Sequence, residues 1–213
     1  MKVADMHCDT IGEIYENRLL GNNYKLKENN FHVDINKLKK GSYLLQNFAM
    51  FIDIKKHKKP YKTLQEMIAV YYEELEDNKD IIRPVYSYKD IYACEKENKI
   101  AALLTIEDAG ALEGSLMNLK TVYEQGVRLI TLTWNHINEV GFPNFKIEVD
   151  TYGDIKEKPN FITPNTEFGL TDFGVELIRE MERLGIIVDV SHLSDAGFYD
   201  VLKYSKKPFV ASH

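Results

Sequence analysis

Hydrophobic residues fall in short runs separated by stretches of mixed spacing, and this pattern predicts strands and helices in alternation. The run 99–106 is almost continuously apolar, which is typical of a strand buried on both faces of a parallel sheet. Six such runs predict core strands, over residues 2–7, 46–52, 99–106, 127–133, 186–192 and 208–213. Apolar residues at helical spacing predict helices over 63–77, 116–125, 171–183 and 194–204.

Capping residues mark the ends of these predicted helices. Thr63, followed three residues later by Glu66, fits a capping box, and Ser194 stands where the last helix should begin. Gly126 and Gly185 follow two helices at the position where glycine commonly ends a helix. The local signals therefore agree with the hydrophobic pattern.

Strands that alternate with helices indicate βαβ units and an α/β fold with a parallel sheet. An open doubly wound sheet can be completed with six strands, whereas a TIM barrel needs eight and builds its site at the carboxyl ends of the strands. The pattern alone leaves both open. The length of 213 residues suits one large domain or two small ones.

The net charge and the cysteine content limit the classes of binding partner and the cellular compartment that we expect. The net charge of −6 disfavours a nucleic acid or an anionic membrane as partner, because both attract concentrated Lys and Arg. Cys8 and Cys94 are too few for a disulfide framework and fit a reducing compartment. The N-terminus has no signal pattern, and no apolar stretch is long enough to span a bilayer. We therefore expect a cytoplasmic protein.

Metal-ligand residues follow the first predicted strand. His7 and Asp9 are two residues apart, and alternation along a strand puts such residues on one face. An imidazole nitrogen and a carboxylate oxygen at one point suit a divalent cation such as Zn²⁺. A simple His–Asp hydrogen bond at a strand end explains the pair equally well, so this signal is weak alone.

Three further strand ends carry residues of the same kind. Glu107 ends the apolar run 99–106, where a carboxylate is costly unless it is paired or liganded, although an acid at a helix N-terminus is a common alternative. His192 and His213 each follow a serine at a strand end. Five ligands are too many for one tetrahedral zinc with an open position, and they suit two metals that share a carboxylate. The full set is His7, Asp9, Glu107, His192 and His213.

Six motifs follow one another along the chain: His7-x-Asp9, Ile106-Glu107, Leu132-Thr133 with Asn135, Gly169-Leu170-Thr171-x-Phe173-Gly174, the run from Leu184 to His192, and Ser212-His213. Their order resembles the renal (membrane) dipeptidase family, metallopeptidase family M19, in a bacterial-type member. The resemblance covers nearly the whole chain and implies a TIM-like (β/α)8 barrel of the metal-dependent hydrolase type, of which about six strands are present. Residues 1–213 would form a single catalytic barrel domain, incomplete at its C-terminus.

The resemblance also implies two zinc ions and their ligands. By position, His7, Asp9 and Glu107 would bind one ion. Glu107, His192 and His213 would bind the other, so that Glu107 bridges the two.

One position departs from the family pattern. Mammalian members have a substrate-contacting histidine directly after Leu-Thr, where this chain has Trp134, with His136 two residues further on. His136 is the candidate for that contact, and an exposed loop histidine is the competing interpretation. Glu107 and His136 are thus the candidate catalytic residues.

The implied activity is that of a zinc-dependent dipeptidase, in which a hydroxide that bridges the metals attacks the peptide bond of a dipeptide. Two alternatives stay open: another amidohydrolase-type reaction, on a cyclic amide, a lactone or an N-acyl amino acid, and a non-catalytic protein that retains the metals. The expected partner is a dipeptide or other small amide, with no nucleic acid and no membrane, and a homodimer is left open.

Two expectations concern regions outside the ligand set. The family places an arginine and an aspartate of the active site after the second Ser-His. Six strands of an eight-stranded barrel would leave two apolar edges with unpaired backbone groups, so we expect residues 1–213 alone to aggregate or to bind zinc poorly. Residues 138–168 are rich in Asn, Pro, Gly and charge, and long loops of this kind in barrels lie over the active rim. We expect this segment to wall a substrate pocket with the aromatic residues Phe142, Phe145, Tyr152 and Phe161.

Overall fold

A central parallel sheet organises the molecule, which is described here from a computed structural model covering residues 1–146 and 162–213 and the backbone of 148–149 and 155–156. The strands are β1 Val3–Asp5, β2 Tyr43–Phe51, β3 Ile82–Pro84, β4 Ile100–Glu107, β5 Val127–Thr131 and β8 Ile187–Asp189. Their order in the sheet is β1-β2-β4-β5-β8, with β3 paired to the start of β4. A separate antiparallel pair consists of β6 Glu148–Val149 and β7 Ile155–Lys156.

Helices connect the parallel strands. They are α1 Thr10–Leu19, α2 Ile35–Lys40, α3 Pro60–Asp77, α4 Tyr88–Glu97, α5 Leu116–Glu124, α6 Asp172–Leu184 and α7 Asp195–Tyr204, with a 3₁₀ turn over Ala109–Leu112. Among the residues that the structure describes, none of these helices combines the length and the apolar character that crossing a bilayer requires.

The two faces of the sheet differ in what covers them. On β4, Ile100, Ala102, Leu104 and Ile106 join one continuous core with apolar residues of α1, α3, α5, α6 and α7. Tyr71 of α3 is buried in that core and donates a hydrogen bond to the Ala102 carbonyl (3.0 Å). Helices gathered on one face are typical of a barrel, whereas a doubly wound sheet has them on both faces.

The opposite face of the sheet is closed at its amino end and polar at its carboxyl end. Ala101 and Leu103 of β4 pack with Cys94 of α4 in a small second cluster. Further along the same face of β4 come Thr105 and Glu107, which are buried but polar. The rim at the carboxyl ends of the strands is therefore where polar chemistry is placed.

Six strands were predicted and the sheet has six, but one predicted strand is absent from the sheet and one strand of the sheet was not predicted. The segment 82–84 forms β3, although it is short and ends in proline, so that no run of alternating residues marked it. The predicted last strand, 208–213, makes a single parallel bridge, between Val210 and Asp189. Helices α1 and α4 were also missed, because their apolar faces are narrow.

The helix caps were predicted with mixed success. Ser194 and Gly185 are confirmed: the Ser194 hydroxyl accepts a hydrogen bond from the Gly197 amide, and Gly185 adopts the left-handed conformation after α6. Thr63 as an N-cap is wrong, because α3 begins at Pro60, and proline at the first position of a helix loses no hydrogen bond.

The described parts of the segment 138–168 lie beside the rim. The Asn144 amide donates to the His192 carbonyl (2.8 Å), and Phe142 stacks on Phe168 with ring centroids 5.2 Å apart. Phe145 is buried, so it packs within the fold rather than lining a pocket. Tyr152 and Phe161, the other two predicted wall residues, lie outside the described residues.

Candidate metal centre

The five ligand-type residues meet at the carboxyl rim of the sheet. Glu107 is the last residue of β4, and the strand register places it between Phe51 of β2 and Thr131 of β5. The remaining side chains come from residues that follow β1, β8 and the bridge at Val210. The five that converge are His7, Asp9, Glu107, His192 and His213.

The two carboxylate oxygens of Glu107 face two different groups of ligands. Oε2 lies 3.3 Å from His7 Nε2. Oε1 lies 3.1 Å from His192 Nε2 and 3.3 Å from His213 Nε2. A carboxylate that turns one oxygen to each group has the arrangement needed to bridge two cations.

Further contacts complete each group. His7 Nε2 lies 3.1 Å from Asp9 Oδ1, and the Asp9 side chain is about half exposed, which makes it the most open of the set. His192 Nε2 and His213 Nε2 lie 2.9 Å apart. The His7 and His213 rings are tilted by 39° to each other at a centroid distance of 3.9 Å, so the two groups adjoin.

Electrostatics at the cluster favour positive charge. Burial alone would raise the pKa of Glu107, but its close contacts with the imidazoles of His192, His213 and His7 outweigh burial and hold this pKa well below its usual range. Burial would lower the pKa of His7, but Asp9 and Glu107 outweigh it and raise this pKa to about 10. A site that keeps its carboxylate ionised and stabilises a cationic imidazole fits divalent cations, and imidazole with carboxylate is the donor set that zinc accepts.

The backbone at His192 is held in an unfavourable conformation. Its φ is +64°, which costs a residue with a Cβ about 1–2 kcal/mol. The hydrogen bond from Asn144 to the His192 carbonyl stabilises this turn. Strain of this kind persists where the surrounding structure requires a particular side-chain direction, here toward Glu107.

His136 lies at the rim beside the end of β2. Its Nε2 is 3.4 Å from Asp53 Oδ1, and its ring meets Trp134 edge-on at 5.6 Å between centroids. The Trp134 ring in turn packs against the Phe51 ring, with 4.7 Å between the ring centroids. The structure thus places His136 in an aromatic and acidic corner of the rim.

Asp108 is a buried acid next to Glu107 that sequence reasoning missed. Its φ is +76°, and its Oδ1 accepts hydrogen bonds from the Gly110 amide (2.9 Å) and Asn138 Nδ2 (2.7 Å). Burial raises the pKa of Asp108 to about 7. Asn138 also donates to the Leu132 carbonyl (2.9 Å), so this pair ties the loop after β4 to the loop after β5. The sequence signal that could have pointed to Asp108 is the pair of successive acids, Glu107 and Asp108, at the end of a buried strand.

A second cluster of carboxylates lies on α3, away from the rim. Glu73, Glu74 and Asp77 have oxygens close enough to surround an ion. Lys25 contacts all three, and Arg18 pairs with Glu73 and Glu74. Two cationic side chains therefore offset most of the charge of these three acids, and the cluster is a salt-bridge network.

Comparison with known proteins gives one family. The family described as membrane dipeptidase (peptidase family M19) matches residues 1–213. An uncharacterized dipeptidase of Schizosaccharomyces pombe is 31% identical over 193 residues, which cover 85% of this chain and 43% of that protein. The chain spans about half the length of the curated relatives it matches.

Solved structures show the same fold. The dipeptidase AC, a metallopeptidase of family M19, aligns over 100% of this chain and 63% of its own, with a TM-score of 0.83 and 21% identity. A metallopeptidase from Rhodobacter sphaeroides, liganded with a phosphinate mimic of the dipeptide L-Ala-D-Ala, aligns over 100% of this chain and 65% of its own, with a TM-score of 0.82 and 20% identity. The predicted TIM-like barrel, represented by about six strands, is confirmed by this likeness.

Proposed function

Because the chain belongs to the membrane dipeptidase family, peptidase family M19, we propose that it acts as a zinc-dependent dipeptidase. The position of Glu107 carries the proposal. Its Oε2 turns toward His7, and its Oε1 turns toward His192 and His213. The Rhodobacter sphaeroides relative, with its dipeptide mimic, supports a dipeptide as the substrate class.

Two zinc ions would be held by the two groups that share Glu107. His7 and Asp9 with Glu107 would bind one, and His192 and His213 with Glu107 would bind the other. When bound, such a pair polarises a scissile carbonyl and supplies a water activated for attack at neutral pH.

The chain's own residues would prepare this site. Glu107 is almost fully buried, and its depressed pKa keeps it ionised at neutral pH, so it would offer both oxygens at once. Trp134 and Phe51 would provide an apolar wall on the β2 side of the rim. His136, oriented by Asp53, would contact the substrate beside that wall.

We also propose a cytoplasmic location. Cys8 and Cys94 are both buried free thiols, and thiols that remain free fit a reducing compartment.

The test is Glu107→Gln in the full-length protein, with zinc content and dipeptide hydrolysis measured together. A neutral amide bridges cations poorly, so we expect activity to fall at least about 100-fold and the paired zinc to be lost. Glu124→Gln is the matched control, because Glu124 lies at the exposed end of α5 and pairs with Lys120 (4.0 Å).

Three outcomes would contradict the proposal. Two bound zinc ions and full activity in the Glu107→Gln protein would exclude the bridging role. Turnover confined to lactones, cyclic amides or N-acyl amino acids would assign a different amidohydrolase reaction. Two bound zinc ions with no turnover of any of these substrates would assign a binding protein.

A further inference from the structure

Asp189 is a buried carboxylate at the end of β8 whose role the proposed function does not explain. It has no exposed surface, yet it receives five hydrogen bonds. Oδ1 accepts from the Ser191 amide (3.0 Å), the Ser191 hydroxyl (2.8 Å) and the Ser212 amide (3.0 Å). Oδ2 accepts from the hydroxyls of Thr131 (2.7 Å) and Ser212 (2.5 Å).

These bonds join the two turns that carry the second ligand group. Ser191 directly precedes His192, and Ser212 directly precedes His213. The His213 amide also donates to the Ser191 hydroxyl (3.2 Å). A single carboxylate therefore fixes the relative position of two histidines from segments that are 21 residues apart in the chain.

The direction of the hydrogen bonds determines which nitrogen of His213 carries the hydrogen. An ionised carboxylate can only accept, so the one hydroxyl hydrogen of Ser212 points at Asp189 Oδ2. The Ser212 oxygen then presents a lone pair to His213 Nδ1, 2.8 Å away. His213 Nδ1 must donate, which leaves the lone pair on Nε2, the atom that faces Glu107.

We propose that Asp189 is a positioning residue that acts through Ser212 to hold His213 with its hydrogen on Nδ1 and its lone pair on Nε2. The inference rests on the proposed function, because the lone pair on Nε2 is what a metal requires. Outer partners of metal-binding histidines commonly act in this way, and their loss weakens metal binding about 10–100-fold.

The hydrogen bonds that link Asp189, Ser212 and His213 form a relay. Substitution of Asp189 by asparagine should reverse the direction of these hydrogen bonds. Oδ1 receives two backbone amides, so the amide oxygen of D189N is expected to take that place. Its NH2 group would then face the Ser212 hydroxyl, which must accept from it and donate to His213 Nδ1 instead. The hydrogen of His213 would move to Nε2, the nitrogen that faces Glu107.

The experiment is 15N NMR of the histidine side chains in the zinc-free full-length protein, at a pH where His213 is neutral. We expect hydrogen on Nδ1 in the wild type, on Nε2 in D189N, and a mixture of the two neutral tautomers in Ser212→Ala. Ser212→Thr keeps the hydroxyl and should restore the wild-type state. Thr131→Val is the control, because it removes a hydrogen bond to Asp189 but leaves His213 Nδ1 with its partner.

Zinc titration of the same proteins separates this inference from the proposed function. We expect the affinity for one of the two ions to fall about 10–100-fold in Ser212→Ala and D189N, and not in Ser212→Thr. Wild-type protein with hydrogen on Nε2, or unchanged tautomers in Ser212→Ala, would overturn the relay even if two zinc ions bind. The expected tautomers in a protein that binds no zinc would support the relay and contradict the proposed function.

Discussion

At the scale of single residues, Glu107 combines burial, ionisation and contact with both groups of ligands. Its position at a rim could be predicted from the sequence, because the carboxyl ends of parallel strands meet at one edge. The role of Asp189 could not be predicted in the same way. Its partner Ser212 is 23 residues away, and only the fold shows that they touch.

His136 offers the residue-scale test of how the substrate is contacted. We expect His136→Ala to lower kcat/KM about 10–100-fold with zinc content unchanged, since a hydrogen bond between His136 and a charged group of the substrate would contribute about 1.5–3 kcal/mol. His32→Ala is the control, because His32 is an exposed histidine between α1 and α2. Loss of zinc in His136→Ala would instead make His136 a ligand, and unchanged kinetics would make it a structural residue.

At the scale of elements, the sequence predicted best where a cap and a hydrophobic period coincide. Helix α6 was anticipated because Thr171 and Gly185 enclose one apolar face, and Thr171 Oγ1 accepts from the Gly174 amide as an N-cap does. Strand β3 was not predicted, because a three-residue strand that ends in Pro84 is too short to show an alternating hydrophobic pattern. Its place depends on pairing with β4, which is a tertiary contact that no local pattern contains.

Gly174 explains part of the glycine-containing motif that opens α6. A Cβ at this position would lie 2.1 Å from the Val140 carbonyl oxygen, so a larger residue must displace backbone. We expect Gly174→Ala to lower the free energy of unfolding by about 1–3 kcal/mol in chemical denaturation. Gly12→Ala in α1 is the control: its Cβ would meet only the flexible end of Met67, at 3.2 Å. Equal stability of the two variants would show that α6 does not need this close approach.

At the scale of the whole molecule, the main apolar core lies on one face of the sheet and the candidate metal ligands lie at one rim. The helices bury an apolar core on one face, α4 closes the amino end of the other, and the polar residues gather at the carboxyl rim. Strand–helix alternation was enough to predict a parallel α/β fold. The choice between a barrel and a doubly wound sheet depends on which face of the sheet each helix covers. The hydrophobic periodicity of a helix does not indicate that face.

The most direct test of the account is anomalous diffraction at the zinc edge from crystals of the zinc-loaded full-length protein. We expect two peaks about 3.5–4 Å apart, with one oxygen of Glu107 on each. His7 and Asp9 should bind the first ion, and His192 and His213 the second. A single peak, or two peaks of which Glu107 touches only one, would contradict the bridging centre on which the proposed dipeptidase activity depends.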